Sequence, residues 1–305
     1  MDLGKSDARV KKFPVELTSF DGVILPSKYE ELKKQIDNLE VDERDVWICS
    51  YPKTGSTWTR EMVWMIVNDC NFKGAEIPLN ERSPFLEKAG LDVQDASYTN
   101  ALEQIKNRKD GKESLIIKTH LPFKLLPREI TSQVKKPKII YITRNAKDTC
   151  VSYYHFIKLV WGYRSDFSEF CELFLGEKAP YSPYWNHVLP FWQMRHNPNV
   201  LFLRYEEMKS DLGGVIRRVS QFLQKPMTDE QIEVLIRHLD FDSMKKNPAV
   251  NSAALHEPLR KLHPEGRLLR KGVVGDHKTI MSLDMQKTFD EWTASNIQDT
   301  DYYSI

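Results

Sequence analysis

Residues 45–58 read DVWICSYPKTGSTW. The first part is a short, continuously apolar run, as expected of a strand buried on both faces. A loop carrying Lys53, Gly55, Ser56 and Thr57 follows, and then WTREMVWMIVND, in which Trp58, Met62, Met65 and Ile66 recur at helical spacing. Strand, polar loop and helix in that order aim the unpaired N–H groups of a helix start at one point, and such a terminus favours an anion. The residue order is not that of a nucleotide triphosphatase loop, GxxxxGK[ST], in which Gly precedes Lys. Here Lys53 comes first and Gly55 follows. The plainer reading keeps the turn, makes Thr54 or Ser56 the helix cap and leaves Lys53 in solvent.

The pattern repeats outward from this point. ESLIIKTHLP (113–122), KPKIIYITRN (136–145) and PNVLFLRYEEM (198–208) are further strand candidates. AKDTCVSYYHFIKLV, LGGVIRRVSQFL and TDEQIEVLIRHL read as helices, as does KYEELKKQIDNLEV (28–41) before the first strand. Strands alternating with helices predict an α/β fold, a parallel sheet flanked by helices on both faces. Ligands of such sheets bind at the carboxyl ends of the strands. Lys53, the pair Lys118 and His120, and Arg144 all fall at such ends. The whole chain, 1–305, is expected to be one domain, with an irregular arm over about 1–25 and a loop over about 245–280 that contributes to the ligand sites.

Composition narrows the function classes. Hydrophobic residues make up 41% and charged residues 29%, with a net charge of +1, so no general electrostatic case exists for nucleic acid or a membrane surface. No apolar run is long enough to span a bilayer, the N-terminus has no signal-peptide core, and no N-x-S/T sequon occurs, which together predict a cytoplasmic protein. Cys49, Cys70, Cys150 and Cys171 lack close pairing and are expected to be reduced core thiols rather than metal ligands. No DxD, HExxH or EF-hand pattern is present, so no metal is expected.

Three further motifs bear on chemistry. In ITRNAKDTCVSYYHF, Arg144 leaves a strand and Ser152 lies early on the next helix, where the two suit a phosphate group; alternatively Arg144 pairs with Asp148. In KTHLP, His120 suits a general base, although a lone histidine is more often structural. His238, His256, His263 and His277 read as surface or loop residues. In LLRKGVVGD, Arg270 and Lys271 flank Gly272, either as an anion grip or as a solvated charge pair. Phosphoryl transfer from a triphosphate leans on Mg²⁺, whereas a sulfuryl group carries less charge, and lysine with backbone donors suffices.

YPKTGSTW, KTHLP, RNAKDTCVSYYHF and RKGVVGD, in this order and spacing, resemble the cytosolic sulfotransferase family over about 40–290. The resemblance implies a P-loop-like phosphosulfate-binding loop and 3′-phosphoadenosine 5′-phosphosulfate (PAPS) as donor, with PAP as product and no metal. By position, Lys53, Thr54, Gly55, Ser56, Thr57 and Trp58 would hold the 5′ end, with Trp58 on the adenine. Arg144, Ser152, Arg270, Lys271 and Gly272 would hold the 3′-phosphate, and Tyr205, Phe241 and Met244 would line the nucleotide site. His120 would be the base, supported by Lys53 and Lys118, with Ser152 counted in the same catalytic set. Phe85 and Phe156 would line the acceptor pocket, with Trp161 and Tyr163 just beyond, unless these aromatics are core. The expected partner is a small hydroxyl compound, a phenol, steroid or terpenoid alcohol.

Three departures from the family pattern stand out. Leu239 and Asp240 replace a Thr-Ser pair before Phe241, so some nucleotide contacts are expected to be lost or replaced. His277 stands where Trp is common. The family's dimer motif is reduced to KTIMSLDMQK (278–287), with Lys287 in place of an acid, which weakens the case for a homodimer. Two alternatives share the same donor site: a retinol dehydratase-like enzyme acting through a transient sulfate ester, and a nucleotide-binding module that has lost catalysis. A nucleotide kinase is disfavoured by the reversed loop.

Overall fold

The computed structural model describes residues 13–91, 101–107, 114–251 and 269–303. Its first elements correct the expected irregular arm. Strands β1 (Leu17–Phe20) and β2 (Val23–Pro26) form an antiparallel hairpin joined at Asp21-Gly22, with Phe20 opposite Val23. Asp21 and Gly22 both take positive φ, 52° and 78°, the geometry of a two-residue turn whose twist matches its strands. All four residues of β2 are buried. Helix α1 (Glu30–Asp37) follows.

The four apolar runs become β3 (Val46–Cys49), β4 (Ile116–Thr119), β5 (Lys138–Thr143) and β6 (Val200–Arg204). They form a parallel sheet in the order β4-β3-β5-β6. Alternate side chains enter two separate cores. Trp47, Cys49, Ile117, Tyr141 and Phe202 face one side. They pack there with the hairpin, α1, and helices spanning Ala146–Trp161, Phe167–Leu175, Tyr184–Gln193 and Leu283–Ile297. Ile48, Ile116, Ile140, Ile142 and Leu203 face the other side, with helices at Ser56–Val67, Leu212–Leu223 and Asp229–His238. This is the α/β architecture predicted, a parallel sheet flanked by helices. Below, α2 is Ser56–Val67, α3 is Ala146–Trp161 and α4 is Asp229–His238.

Cys49, Cys150 and Cys171 are buried free thiols, but Cys70 is only half-buried, just past α2, which corrects its assignment to the core. Trp161 and Tyr163 are also core: the Tyr163 ring lies 4.6 Å from that of Phe13. Of the segment 245–280, residues 252–268 lie outside the described residues, and His256 and His263 with them. The rest is partly helical, with Phe241–Lys246, Pro248–Asn251 and a 3₁₀ turn at Asp276–Thr279. In the stretch 278–287, Leu283 is 82% exposed and Lys287 lies 3.8 Å from Glu291 on the same helix. Among the described residues, no helix is long and apolar enough to cross a membrane, and no cluster of three His, Cys, Asp or Glu residues suits a metal ion.

Candidate active site

Each strand of the parallel sheet delivers a polar residue one position beyond its end: Ser50 after β3, His120 after β4, Arg144 after β5 and Tyr205 after β6. A cleft open on one side lies over these ends. Lys53, Gly55, Ser56, Thr57 and Trp58 line it from the loop and α2. Lys118, His120, Arg144, Ser152, Phe156 and Tyr205 line it from the sheet and α3. Phe241, Met244, Arg270, Lys271 and Gly272 close it from the chain's last third.

The 50–55 loop is built to leave donors exposed. Gly55 stands at the N-cap of α2 with φ 117°, and no side chain caps the helix, so neither Thr54 nor Ser56 plays the capping role of the plainer reading. A Cβ at Gly55 would lie 3.0 Å from Tyr205 Cδ2. Lys53 itself has φ 70°, a left-handed conformation that non-glycine residues rarely adopt. Thr54 does not face the cleft. It is fully buried, and its hydroxyl bridges Tyr51 O at 2.8 Å and Ile142 O at 2.9 Å, tying the loop to β5. Its side chain is therefore structural, and any cofactor contact of Thr54 falls to its backbone.

Charge in the cleft is concentrated. Removal from water, then the guanidiniums of Arg144 and Arg270, push the Lys53 ammonium down to about 7. Like charges so disposed favour a bound anion. Among the described residues, the buried Nε groups of Arg144 and Arg270 and the indole N–H of Trp58 also lack a hydrogen-bond acceptor, which fits a ligand rich in phosphate oxygens. Arg144 does pair with Asp148, at 3.5 Å, as the alternative sequence reading had it, while also lining the cleft and donating to Val273 O at 2.8 Å. Arg270 and Lys271 both pair with Asp276, the latter at 2.6 Å. Gly272 is indispensable at its position: φ is 67°, and a Cβ would sit 2.2 Å from the Phe241 ring.

The strap that carries these cations is pinned to α3. Asp148 accepts from Gly275 N at 2.7 Å, His277 N at 3.0 Å and His277 Nδ1 at 2.7 Å. These donors, with Arg144, hold its carboxyl at about 2 despite burial. His277 is thus a buried anchor, not a surface residue. His238 is likewise corrected: its Nε2 lies 2.7 Å from the fully buried Glu61, joining α4 to α2. Asp240, where the family often has Ser, accepts from Asp242 N at 3.0 Å and caps the helix bearing Phe241 and Met244, so the replacement preserves the cap. Leu239 lines the cleft.

His120 is buried, and its ring is fixed. Nδ1 donates to Ser50 O at 2.7 Å, which leaves the lone pair of the neutral ring on Nε2. Burial first, then Lys118, keeps the imidazole well below its ordinary value, hence neutral near neutral pH. Another histidine, His187, is wholly buried behind it, with Nε2 donating to His120 O at 2.9 Å and Nδ1 2.8 Å from the Tyr141 hydroxyl. Phe85 is not among the residues lining this cleft, but it touches two that are. Its ring packs 5.2 Å from His120 and 3.8 Å under Lys118 Nζ. Phe156 does line it, with Lys53 Nζ 4.7 Å above its ring. Sequence reasoning missed Lys209, which lies 5.6 Å above the Trp58 ring. Its spacing of four from Tyr205 on one short helix was the available signal.

The sulfotransferase domain family matches residues 43–301. The luciferin sulfotransferase of Photinus pyralis is 43% identical over 286 residues, covering 90% of this chain and 77% of that protein. Sulfotransferase 1E1 of Mus musculus is 33% identical, covering 92% of each chain. Among solved structures, retinol dehydratase in complex with androsterone and inactive cofactor PAP superposes with a TM-score of 0.87 at 28% identity, covering 96% of this chain and 93% of that one. Mouse sulfotransferase SULT7A1 complexed with PAP gives 0.71 at 27% identity, with 93% and 96% covered. The chain belongs to the cytosolic, PAPS-dependent sulfotransferase family.

Proposed function

We propose that this chain transfers the sulfuryl group of PAPS to the hydroxyl of a small aromatic or terpenoid acceptor, in the cytoplasm, with His120 as the base. The observation that carries the reading is the fixed imidazole: a neutral ring, anchored through Nδ1 on Ser50, in a cleft whose charged lining residues are lysines and arginines. When bound, PAPS supplies a sulfuryl group activated by its bond to phosphate. His120 Nε2 takes the proton of the attacking hydroxyl, and such base assistance contributes about 10²- to 10⁴-fold. Lys53 and the open N-terminus of α2 neutralise charge on the departing phosphate. Lys118 orients the acceptor hydroxyl and the group in transfer. Arg144, Ser152, Arg270, Lys271 and the Gly272 backbone grip the 3′-phosphate, while Trp58, Tyr205, Phe241 and Met244 surround the adenine. Phe156 and Phe85, the latter packed against His120 and Lys118, present apolar faces to the acceptor. Likeness to a luciferin sulfotransferase and to an enzyme that holds androsterone or retinol supports an apolar ring-bearing alcohol.

The test is sulfate transfer from labelled PAPS to a panel of phenols, steroids and terpenoid alcohols. Wild-type turnover that His120→Ala abolishes, with PAP still bound, is the expected outcome; wild-type protein that binds PAP and sulfates nothing defeats the reading. A second reading is favoured by the overlay on retinol dehydratase. A sulfate ester of an allylic alcohol ionises readily, and a pocket that retains it yields a dehydrated product. Mass analysis of the retinol product, sulfate gained or water lost, separates the two.

A further inference from the structure

Glu87 is a carboxylate with no exposed surface, set beside the cleft but outside its lining. Residues 84–86 explain its place. Lys118 N donates to Pro84 O and Leu86 N to Lys118 O, each at 2.8 Å, so this segment runs alongside β4 and delivers Glu87 beneath the KTH motif. Oε1 accepts from His120 N at 2.7 Å and from the Tyr181 hydroxyl at 3.2 Å, and Oε2 accepts from the Thr119 hydroxyl at 2.8 Å. Thr119 Oγ1 itself accepts from Leu121 N at 3.0 Å, so its hydrogen points to Glu87. Burial pushes the Glu87 carboxyl up, while the donors His120 N and Thr119 Oγ1 and the Lys118 ammonium favour its ionised form.

A buried anion calls for a nearby cation. The groups that feel Glu87 are the hydroxyls of Tyr29 and Tyr181, the thiol of Cys49 and the ammonium of Lys118. Only Lys118 among these can supply positive charge. Withdrawal from water, then the Arg60 guanidinium, push the Lys118 ammonium down, as do Lys88 and Lys53, and Glu87 opposes all of them. The same carboxylate holds the backbone N–H of His120, whose ring must stay on Ser50 O to keep its lone pair on Nε2. We propose that Glu87 is a positioning residue for sulfuryl transfer, a single buried carboxylate that clamps the His120 backbone and favours the charged form of Lys118. The proposal rests on the roles given above to Lys118 and His120.

The test reads Lys118 directly. Competitive acetylation across a pH series, with Lys118 followed by mass spectrometry, gives the pH at which its amine becomes reactive. In Glu87→Gln that pH falls by about one to two units. In parallel kcat falls about 10- to 100-fold, its alkaline limb moves to lower pH, and the PAP dissociation constant stays within about threefold. Glu87→Asp keeps the anion and recovers part of the loss. An unmoved Lys118 titration overturns the proposal, as does a kcat loss matched by loss of PAP binding. Should Glu87→Gln not fold, Glu87→Asp carries the test: a carboxylate drawn back from Lys118 gives a smaller step in the same direction, and no step overturns the proposal. Absence of sulfate transfer by the wild type would defeat the functional reading alone, because the titration of Lys118 needs no turnover.

Discussion

The two ends of the cleft hold their cations by opposite means. At the loop end, Lys53 is kept in a left-handed backbone conformation and pushed down to about 7 by withdrawal from water and by the Arg144 and Arg270 guanidiniums. At the strap end, Arg144 leans on Asp148, while Arg270 and Lys271 share Asp276. A protein carboxylate thus already offsets the strap cations, and an anion arriving there competes with it. Charge that appears at the loop end meets Lys53 together with the Arg144 and Arg270 guanidiniums, a field that favours an anion. The loop end therefore suits charge that builds during the reaction, and the strap end suits recognition of a charge the ligand brings with it.

The largest effect should come from Lys53→Ala. Removing a donor aimed at developing charge costs about 10²- to 10³-fold in kcat, whereas the PAP dissociation constant should rise far less. Single-turnover kinetics beside PAP titration measure both. Equal losses would mean that Lys53 only binds the ground state, and the contrast between the ends would disappear.

Asp148→Asn probes the other end. It keeps the shape but weakens the three hydrogen bonds that fasten Gly275 and His277 to α3. Charge-assisted bonds of this kind are worth about 1.5–3 kcal/mol, so PAP affinity should fall about 10- to 100-fold. At saturating PAPS, kcat should remain within about threefold. A kcat collapse at saturation would show that the strap serves chemistry as much as recognition.

That contrast was only half legible in the sequence. The loop end was readable because its parts are local: an apolar strand, a glycine where φ is positive, and a helical period spanning residues 45–67. His120 and Arg144 followed from the rule that places ligands at strand ends. At the strap end the cations were readable, but not the bonds that pin the strap, which join residues far apart, 127 positions for Gly275–Asp148 and 129 for His277–Asp148. No periodicity marks such a pair, and His277 looked like a loop residue. Thr54 misled for a different reason. Its hydroxyl has the chemistry of a phosphate ligand, but the tight turn at Lys53 and Gly55 directs it inward to Ile142 O. The β1–β2 hairpin did carry a signal, Asp21-Gly22 between apolar runs, one of the stronger turn indicators available.

The smallest effect is also the most direct measure of the loop end's field. With Lys53 at about 7 in the ligand-free chain, roughly half of its amine is neutral at neutral pH, and more is neutral above it. A phosphate bound beside it favours the ammonium and raises its pKa. Between the free and bound values, PAP binding must therefore take up a proton. The sign is definite: affinity is insensitive to this group below about pH 7 and weakens as pH rises above it, by at most about tenfold per unit. Calorimetry at pH 8 in buffers of different ionisation enthalpy should report an uptake approaching one proton. Lys53→Arg, which stays charged throughout, should abolish the uptake while leaving the strap intact. If the uptake persists in Lys53→Arg, the proton belongs elsewhere, and the Lys53 ammonium does not set the pH dependence of the loop end.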